Sequence, residues 1–296
     1  MAKKETEGLV LLLDVGESMS TTVGGTSYLQ SCVDIIQMIV PRKMFQASKD
    51  EIALVLCGTR DTANELWDGS SDHYSHVTVA RPLAVVDWNL LEFVQNKLSV
   101  STLQADILDG LVVASNHFHE DANRNKLFTP KHIICFTDFA SRAEDEDKLA
   151  QICAGLSKHE IRVDVISPYS ESDDHGQGPA AGSNGHVSSA NDDEHRNNPS
   201  NGAKPMTAAQ LNNRAIMKEI SEQTDGAMYS FGEVWDFIKQ GLLCAIGVGS
   251  FTYLQIKEKL DELYNIYKLS RFSFSSSNLH VFYRSNKFCL KKIFFF

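Results

Sequence analysis

A short, uninterrupted apolar run near the start of the chain, Leu9–Leu13, ends abruptly at Asp14. A run of this length that is apolar at every position indicates a strand buried on both faces inside a parallel sheet. Asp14 then stands where that strand ends. Because ligands of open α/β sheets bind beyond the carboxyl ends of the strands, the segment predicts both an architecture and the place of a polar site.

The composition narrows the class of protein. The 296 residues, 43% of them hydrophobic, are enough for one large α/β domain with additions or for two small ones. The formal net charge of −10 argues against this chain holding a DNA backbone by itself, since that task needs clustered Lys and Arg. No stretch approaches the roughly 18 apolar residues of a membrane helix, and the first apolar run is too short for a signal peptide. We therefore expect no membrane partner.

The six cysteines form no C-x-x-C pair and no closely spaced framework. Cys57 and Cys135 lie inside apolar, strand-like runs, where a cysteine behaves as a small buried hydrophobic residue. This usage favours a reducing, intracellular compartment.

Strand-like and helix-like segments alternate along the chain. The predicted strands are Leu9–Leu13, Glu51–Cys57, His76–Val79, Lys131–Phe136, Ile161–Ile166 and Gly226–Phe231. The predicted helices are Tyr28–Phe45, Trp88–Leu98, one through 107–115, one from Glu144–Asp147 to Ser157, Thr207–Thr224 and Glu233–Ala245. We expect Pro82 to stop the third strand at a sheet edge, Asp87 to cap the second helix, and Ser101 or Thr102 to cap the third. This order predicts an α/β fold with a doubly wound, mostly parallel, Rossmann-type sheet and helices on both faces.

Two segments depart from this pattern. Residues 170–205 are rich in Gly, Ser, Asn and Asp, which predicts a disordered insert within the domain rather than a boundary, because the α/β pattern resumes afterwards. We therefore expect one domain over 5–249. Residues 250–296 predict a helical stretch followed by a poorly ordered tail.

The motifs of common enzymes are absent from the sequence. It contains no G-x-x-x-x-G-K-[ST], no G-x-G-x-x-G after a strand and no G-x-S-x-G. His117 and His119 have no Cys or carboxylate partner at ligand spacing, so we expect them at the surface rather than in a metal site. An enzymatic role is therefore not predicted, although Asp14 and Asp138 leave a hydrolase on a similar sheet as an alternative that an ATPase assay of Asp14→Ala would test.

The strand-end segment DVGESMS resembles the Asp-x-Ser-x-Ser signature of von Willebrand A-type domains, which hold a divalent cation, usually Mg²⁺, at the top of the sheet. On that resemblance, Asp14, Ser18 and Asp138 are the candidate metal ligands. Gly16 stands where the family has its first serine, and Ala105 stands where the family has a threonine in the second loop. Asp106 beside it is a further ligand-face residue.

The loss of two hydroxyls weakens this candidate site, because Mg²⁺ demands nearly complete octahedral coordination by oxygen. Two carboxylates and one hydroxyl still leave weak Mg²⁺ binding as an alternative. We expect instead that Asp14 and Asp138 accept hydrogen bonds from backbone amides in the turns and that the site holds no cofactor.

Five segments together resemble the amino-terminal domain of the larger subunit of the Ku heterodimer. They are DVGESMS, KDEIALVLCGT at 49–59, QADILDGL at 104–111, KHIICFTDFASR at 131–142 and AMYSF at 227–231. The resemblance covers about residues 5–245, and the insert falls where that family carries a variable loop.

The resemblance implies a nuclear, non-enzymatic role in repair of DNA double-strand breaks by non-homologous end joining, in recombination and in telomere maintenance. Ku proteins are often catalogued as ATP-dependent DNA helicases, which no nucleotide-binding motif supports here. The implied partners are the smaller Ku subunit and end-joining factors that carry short peptide motifs. DNA ends and the DNA-dependent protein kinase catalytic subunit would be engaged through a β-barrel and a carboxyl-terminal arm, which the sequence after Gly249 does not resemble. We therefore expect this chain alone to bind DNA ends weakly or not at all.

Two other functions of von Willebrand A-type domains are alternative interpretations of the sequence. A cation-dependent adhesion domain predicts a secretory signal, a complete Asp-x-Ser-x-Ser and paired extracellular cysteines, none of which the sequence shows. Another intracellular scaffold, proteasomal or part of a transcription complex, shares the fold and compartment, and its partners would distinguish it.

Overall fold

A computed structural model describes residues 6–45, 49–119, 128–143, 146–170 and 205–239. The predicted insert, apart from Ser170 and Pro205, and the predicted tail over 250–296 lie outside the described residues. The end of the last predicted helix, after residue 239, lies outside them as well.

The central feature is a sheet of six strands with a small hairpin beside it. The strands are β1 (Thr6–Asp14), β2 (Thr22–Val23), β3 (Thr26–Ser27), β4 (Glu51–Cys57), β5 (Val77–Val85), β6 (Phe128–Phe136), β7 (Ile161–Ser167) and β8 (Met228–Ser230). The sheet order is β5-β4-β1-β6-β7-β8, and β2 pairs with β3 in the hairpin. Within the sheet β5 is antiparallel to its neighbour, and the other pairs are parallel. The mostly parallel sheet predicted from the sequence is confirmed.

β1 lies in the middle of the sheet, and its register places Leu11 between Leu54 of β4 and Ile134 of β6. From β1 the chain fills one side with β4 and β5 and then returns to fill the other with β6, β7 and β8. The winding therefore reverses between β1 and β6. In doubly wound sheets the crevice at such a reversal, beyond the carboxyl ends of the strands, is the usual ligand position.

In the described part of the chain, six α-helices cover the sheet. They are α1 (Tyr28–Phe45), α2 (Trp88–Asn96), α3 (Ile107–Asn116), α4 (Glu146–Lys158), α5 (Ala208–Gln223) and α6 (Phe231–Lys239). Helices α3, α4 and α5 share one apolar cluster with Val10 and Leu12 of β1. Leu11 and Leu13 point to the opposite face, because side chains alternate along a strand, and they too are fully buried. Helix α1 contacts both α2 and α6, and none of these three helices belongs to this cluster. Helices therefore lie on both faces of the sheet, as predicted.

Several predicted element ends are wrong. The last predicted strand, Gly226–Phe231, is shortened to β8, because the Ser230 hydroxyl accepts a hydrogen bond of 3.2 Å from the amide of Glu233 and Phe231 already begins α6. β5 continues through Pro82 to Val85 instead of stopping before it, because β5 is an edge strand and its register against β4 shifts between Ile52 and Leu54, opposite this proline. Pro is tolerated at such edge irregularities, where no ladder hydrogen bond is lost.

The predicted cap of α2 is confirmed, since the Asp87 carboxylate accepts a hydrogen bond of 3.0 Å from the amide of Leu90.

The start of α3 also differs from the prediction. The helix begins at Ile107 and is capped by Asp106, not by Ser101 or Thr102. The amide of Ser101 donates instead to the carbonyl of Val15 at 2.7 Å, which ties this segment to the end of β1 and keeps it out of the helix.

Of the two histidines expected at the surface, His119 is exposed but His117 is only 1% exposed. His117 follows the last turn of α3, and burial lowers the pKa of its imidazole to about 4. Cys57 and Cys135 are fully buried, as predicted. Among the helices that the structure describes, none combines the length and the apolar character needed to cross a membrane.

Candidate functional site

The strand-end site is centred on Asp14, the last residue of β1, whose side chain has no exposed surface. Its Oδ1 accepts a hydrogen bond of 2.8 Å from the amide of Gly16. Its Oδ2 accepts hydrogen bonds from the hydroxyls of Ser141 and, at 3.4 Å, Thr137. Asp14 therefore joins the loop after β1 to the loop after β6.

Burial is also the main influence on the protonation of Asp14. It raises the pKa of this carboxyl from 3.8 to about 6, although the hydrogen bonds from Ser141 and Gly16 oppose the increase. The nearby charge of Asp138 raises the pKa further. At pH 7 the site therefore contains a deeply buried carboxylate that is held ionised by its donors.

Asp138 and Ser18 complete the same site from two different loops. The hydroxyl of Ser18 donates a hydrogen bond of 3.0 Å to Asp138 Oδ1, which also accepts one of 3.1 Å from the amide of Ala140. Burial raises the pKa of Asp138, which is only 2% exposed. The structure thus brings together the three candidate ligands: Asp14 and Ser18, which are close in sequence, and Asp138, which follows Ser18 by 120 residues.

Gly16 lies directly against the carboxylate of Asp14. It precedes a short 3₁₀ turn, Glu17–Ser20, and a Cβ placed at Gly16 would lie 3.1 Å from Asp14 Oδ1. A side chain at this position would therefore point into the site. Because Gly16 has no side chain, it contacts the carboxylate of Asp14 through its backbone amide.

The second loop contributes structure rather than ligands. Ala105 is 4% exposed, and Asp106 turns its carboxylate towards α3, where it accepts a hydrogen bond of 2.8 Å from the amide of Leu108. The next amide, of Ile107, donates to the carbonyl of Arg142 at 2.9 Å and so joins the second loop to the third. Asp106, predicted to be a ligand-face residue, therefore caps α3 in the structure.

The third loop is held by two polar residues of α5 that were not predicted from the sequence. Gln210 Nε2 donates to the main-chain carbonyl of Asp138 at 2.9 Å, and Asn213 Nδ2 donates to the carbonyls of Phe139 and Ser141 at 3.0 and 2.7 Å. Both side chains are more than 90% buried. The signal available in the sequence was two amides on the apolar side of a helix, at positions where an amphipathic helix carries hydrophobic residues.

The donor set does not fit a divalent cation. Both oxygens of Asp14 already accept hydrogen bonds, Asp138 Oδ1 accepts two, and neither Gly16 nor Ala105 has a side-chain oxygen. Mg²⁺ needs up to six oxygens in nearly ideal geometry. Across the described ranges, no three His, Cys, Asp or Glu side chains come together as a metal-binding group.

A second concave feature lies between α3 and α4. This α3–α4 pocket has a volume of about 290 Å³. Its apolar wall is formed by Tyr74, Leu108, Val112, Ile152, Leu156 and Ile161. Its polar rim includes Asp109, His119, Lys148 and His159. No motif in the sequence pointed to this pocket, because it depends on the spacing of two helices.

A comparison with protein families shows to which family this chain belongs. Residues 8–178, more than half of the sequence, match the family described as Ku70/Ku80 N-terminal alpha/beta domain. The chain belongs to the Ku family. The resemblance to Ku predicted from the sequence is therefore confirmed.

The Ku relatives with curated names are similar over the same part of the chain. X-ray repair cross-complementing protein 5 of Xenopus laevis is 35% identical over 171 residues, which are 57% of this chain and 23% of that protein. ATP-dependent DNA helicase 2 subunit KU80 of Oryza sativa subsp. japonica is 34% identical over 170 residues, 55% of this chain and 23% of that protein. The match thus spans about a quarter of the length of these Ku relatives.

Solved structures also resemble this Ku domain. The SpRpn10 VWA domain superposes with a TM-score of 0.47 at 14% sequence identity, over 78% of this chain and 94% of that one.

Proposed function

We propose that this chain serves as the amino-terminal interaction domain of a KU80-type subunit, that is, the larger Ku subunit, in the repair of DNA double-strand breaks by non-homologous end joining. The observation that carries this proposal is the family match over residues 8–178, together with the names of the relatives, which refer to repair cross-complementing and to KU80. On this proposal the chain works in the nucleus, including at recombination sites and telomeres. It acts by binding other proteins and not by catalysis.

The proposed partner is the smaller Ku subunit of the same organism, in a heterodimer. The DNA-dependent protein kinase catalytic subunit and DNA ends would be engaged by the assembled Ku particle. The net charge of −10 on this chain supports a protein-binding role over direct contact with DNA phosphates.

The α3–α4 pocket is the proposed docking site for short peptide motifs of end-joining factors. Its apolar wall offers Tyr74, Leu108 and Val112 to a hydrophobic side chain, and its volume of about 290 Å³ suits one or two such side chains. The polar rim, with Asp109, Lys148 and His159, offers hydrogen bonds and charge to the flanking residues. Pockets of this kind, with an apolar wall and few polar groups, fix the orientation of a ligand.

The strand-end site is proposed to be structural. Asp14, Ser18 and Asp138 hold the loops after β1 and β6 together, and both carboxylate oxygens of Asp14 already accept hydrogen bonds from the protein. On this proposal the site binds no Mg²⁺, and it stabilises the ligand face of the sheet on which the interaction surfaces are built.

The test is co-expression of the tagged 296-residue chain with the smaller Ku subunit, followed by titration with peptides tiled across the end-joining factors of the same organism. We expect the two chains to co-purify and at least one peptide to bind. Val112→Glu in the pocket should abolish peptide binding, whereas Leu211→Glu, at a 45% exposed position on α5, should not. No co-purification and no peptide that Val112→Glu affects would contradict the proposal.

A further inference from the structure

The wall of the α3–α4 pocket includes a residue in an unusual backbone conformation. Tyr74, in the loop between β4 and β5, has a φ of 61°, in the left-handed region that is unfavourable for a bulky side chain. Its side chain is partly buried and packs against the apolar cluster under α3 and α4. Such a conformation persists only where the surroundings hold it in place.

Two side chains hold Tyr74 through its backbone. The amide of Tyr74 donates a hydrogen bond of 2.7 Å to Asp109 Oδ2 in the first turn of α3. The carbonyl of Tyr74 accepts one of 2.9 Å from Asn64 Nδ2, which comes from the same loop. Asp109 is therefore the contact that joins the loop to the helix.

Asp109 is well placed to make this contact strong. It is only 8% exposed, and it lies in the first turn of α3, where the helix dipole stabilises a negative charge. Hydrogen bonds from an amide to a carboxylate are shorter and stronger than neutral ones. His73 Nδ1 lies 4.0 Å from Asp109 Oδ2, so a protonated His73 would add to the same attachment.

We propose that Asp109 is a positioning residue of the α3–α4 pocket. Its carboxylate fixes the left-handed backbone of Tyr74 and thereby sets the tyrosine ring as one wall of the pocket. The functional consequence rests on the proposed role of this pocket in binding peptides. The shape of the pocket itself does not depend on that role.

The experiment uses the full chain and two variants, Asp109→Leu, which replaces the acceptor with a larger, apolar side chain, and Asp109→Asn, which keeps the shape and an oxygen acceptor without the charge. Asp72→Asn, an exposed carboxylate of the same loop, is the matched control. Hydrogen exchange of the Tyr74 amide reports the positioning directly. Titration with p-cresol, followed by NMR, reports whether the pocket is formed.

We expect Asp109→Leu to speed exchange of the Tyr74 amide by about tenfold or more, the effect of losing a hydrogen bond to a charged group, and to weaken p-cresol binding by about fivefold or more. Asp109→Asn should recover most of both properties and should move the Tyr74 amide proton upfield, because its acceptor is weaker. Asp72→Asn should change neither.

Unchanged exchange of Tyr74 in Asp109→Leu, or p-cresol that fails to bind the wild-type chain, would overturn the proposal. If Asp109→Leu does not fold, an unmoved Tyr74 amide proton in Asp109→Asn would overturn it equally. If only the proposed peptide role is wrong, no end-joining peptide will bind, but the exchange and p-cresol results will still be as expected. The two failures are therefore distinguishable.

Discussion

The hydroxyl of Ser18 donates a hydrogen bond of 3.0 Å to Asp138 Oδ1, so two residues that a bound cation would bridge contact each other directly. Asp14, the third candidate ligand, is engaged by Gly16 and by the hydroxyls of Ser141 and Thr137. The ligand face of this Ku domain thus has the layout of a metal site in which protein donors surround the carboxylates. The first three predictions test that description.

Calorimetric titration with Mg²⁺ or Mn²⁺ should give no binding at micromolar concentrations, because the carboxylate oxygens already accept hydrogen bonds and two hydroxyl ligands are missing. Gly16→Ser together with Ala105→Thr should increase the affinity for Mn²⁺, since a Cβ at Gly16 would lie 3.1 Å from Asp14 Oδ1 and would carry a hydroxyl to the site. Micromolar binding by the wild-type chain would contradict the structural interpretation.

The pH dependence of stability should carry the signature of Asp14. Its pKa is about 6 in the folded chain against 3.8 ordinarily, so the folded state binds the proton more tightly than the unfolded state. The stability from this group is fully present below about pH 4 and is lost as the pH rises through about 6, by about 3 kcal/mol at most.

Urea unfolding of the wild type and of Asp14→Asn between pH 4 and pH 7 measures this contribution. The difference in unfolding free energy between the two proteins should change across this range in favour of the variant as the pH rises. Asp72→Asn, at an exposed position, is the control and should run parallel to the wild type. A constant difference for Asp14→Asn would show that Asp14 does not titrate in this window.

Ser141→Ala should destabilise the domain by about 1–3 kcal/mol, because it leaves the fully buried Asp14 carboxylate without one of its donors. The same change at Ser20, whose exposed hydroxyl donates to the carbonyl of Glu17, should cost much less. Chemical denaturation of the two variants at pH 7 provides the measurement. Equal effects would mean that the Ser141–Asp14 hydrogen bond contributes nothing specific.

The sheet also contains a buried pair of a histidine and a carboxylate, on β6 and β7. His132 Nε2 lies 2.8 Å from Asp164 Oδ2, and Asp164 has no exposed surface. Burial by itself would raise the pKa of Asp164, but the hydrogen bond and charge of His132, with the charge of Arg162, hold it below its usual range.

His132→Leu should therefore destabilise the fold by about 3 kcal/mol, as expected when a buried charge loses a partner. Arg162→Ala should cost less, because the Arg162 side chain is 38% exposed and its charge is partly screened by solvent. Thermal unfolding of both variants gives the comparison. A larger loss of stability for Arg162→Ala than for His132→Leu would show that Arg162, and not His132, is the principal partner of Asp164.

Much of the fold could be predicted from local patterns. The apolar run before Asp14 identified the central strand, and Asp87 identified a helix start, because both signals are carried by adjacent residues. The start of α3 could not be predicted in this way. Ser101 is a good capping residue, but its amide binds Val15 from the loop after β1, a long-range contact that local sequence does not reveal.

The candidate site was predictable in part for the same reason. Asp14 and Asp138 follow apolar strands, so the parallel sheet itself brings them together. Gln210 and Asn213 were missed because their role depends on where α5 packs, after the predicted insert. The pocket beside Tyr74 was missed because it needs a left-handed tyrosine and two helices at the right distance.

The most direct test of the central claim is affinity capture with the tagged 296-residue chain in cells of its own organism, with captured proteins identified by mass spectrometry. As a KU80-type interaction domain, it is predicted to capture the smaller Ku subunit and end-joining factors, and Val112→Glu should lose the factors that dock in the α3–α4 pocket while Leu211→Glu retains them. Capture of proteasome or transcription-complex subunits, with neither the smaller Ku subunit nor any end-joining factor, would contradict the account.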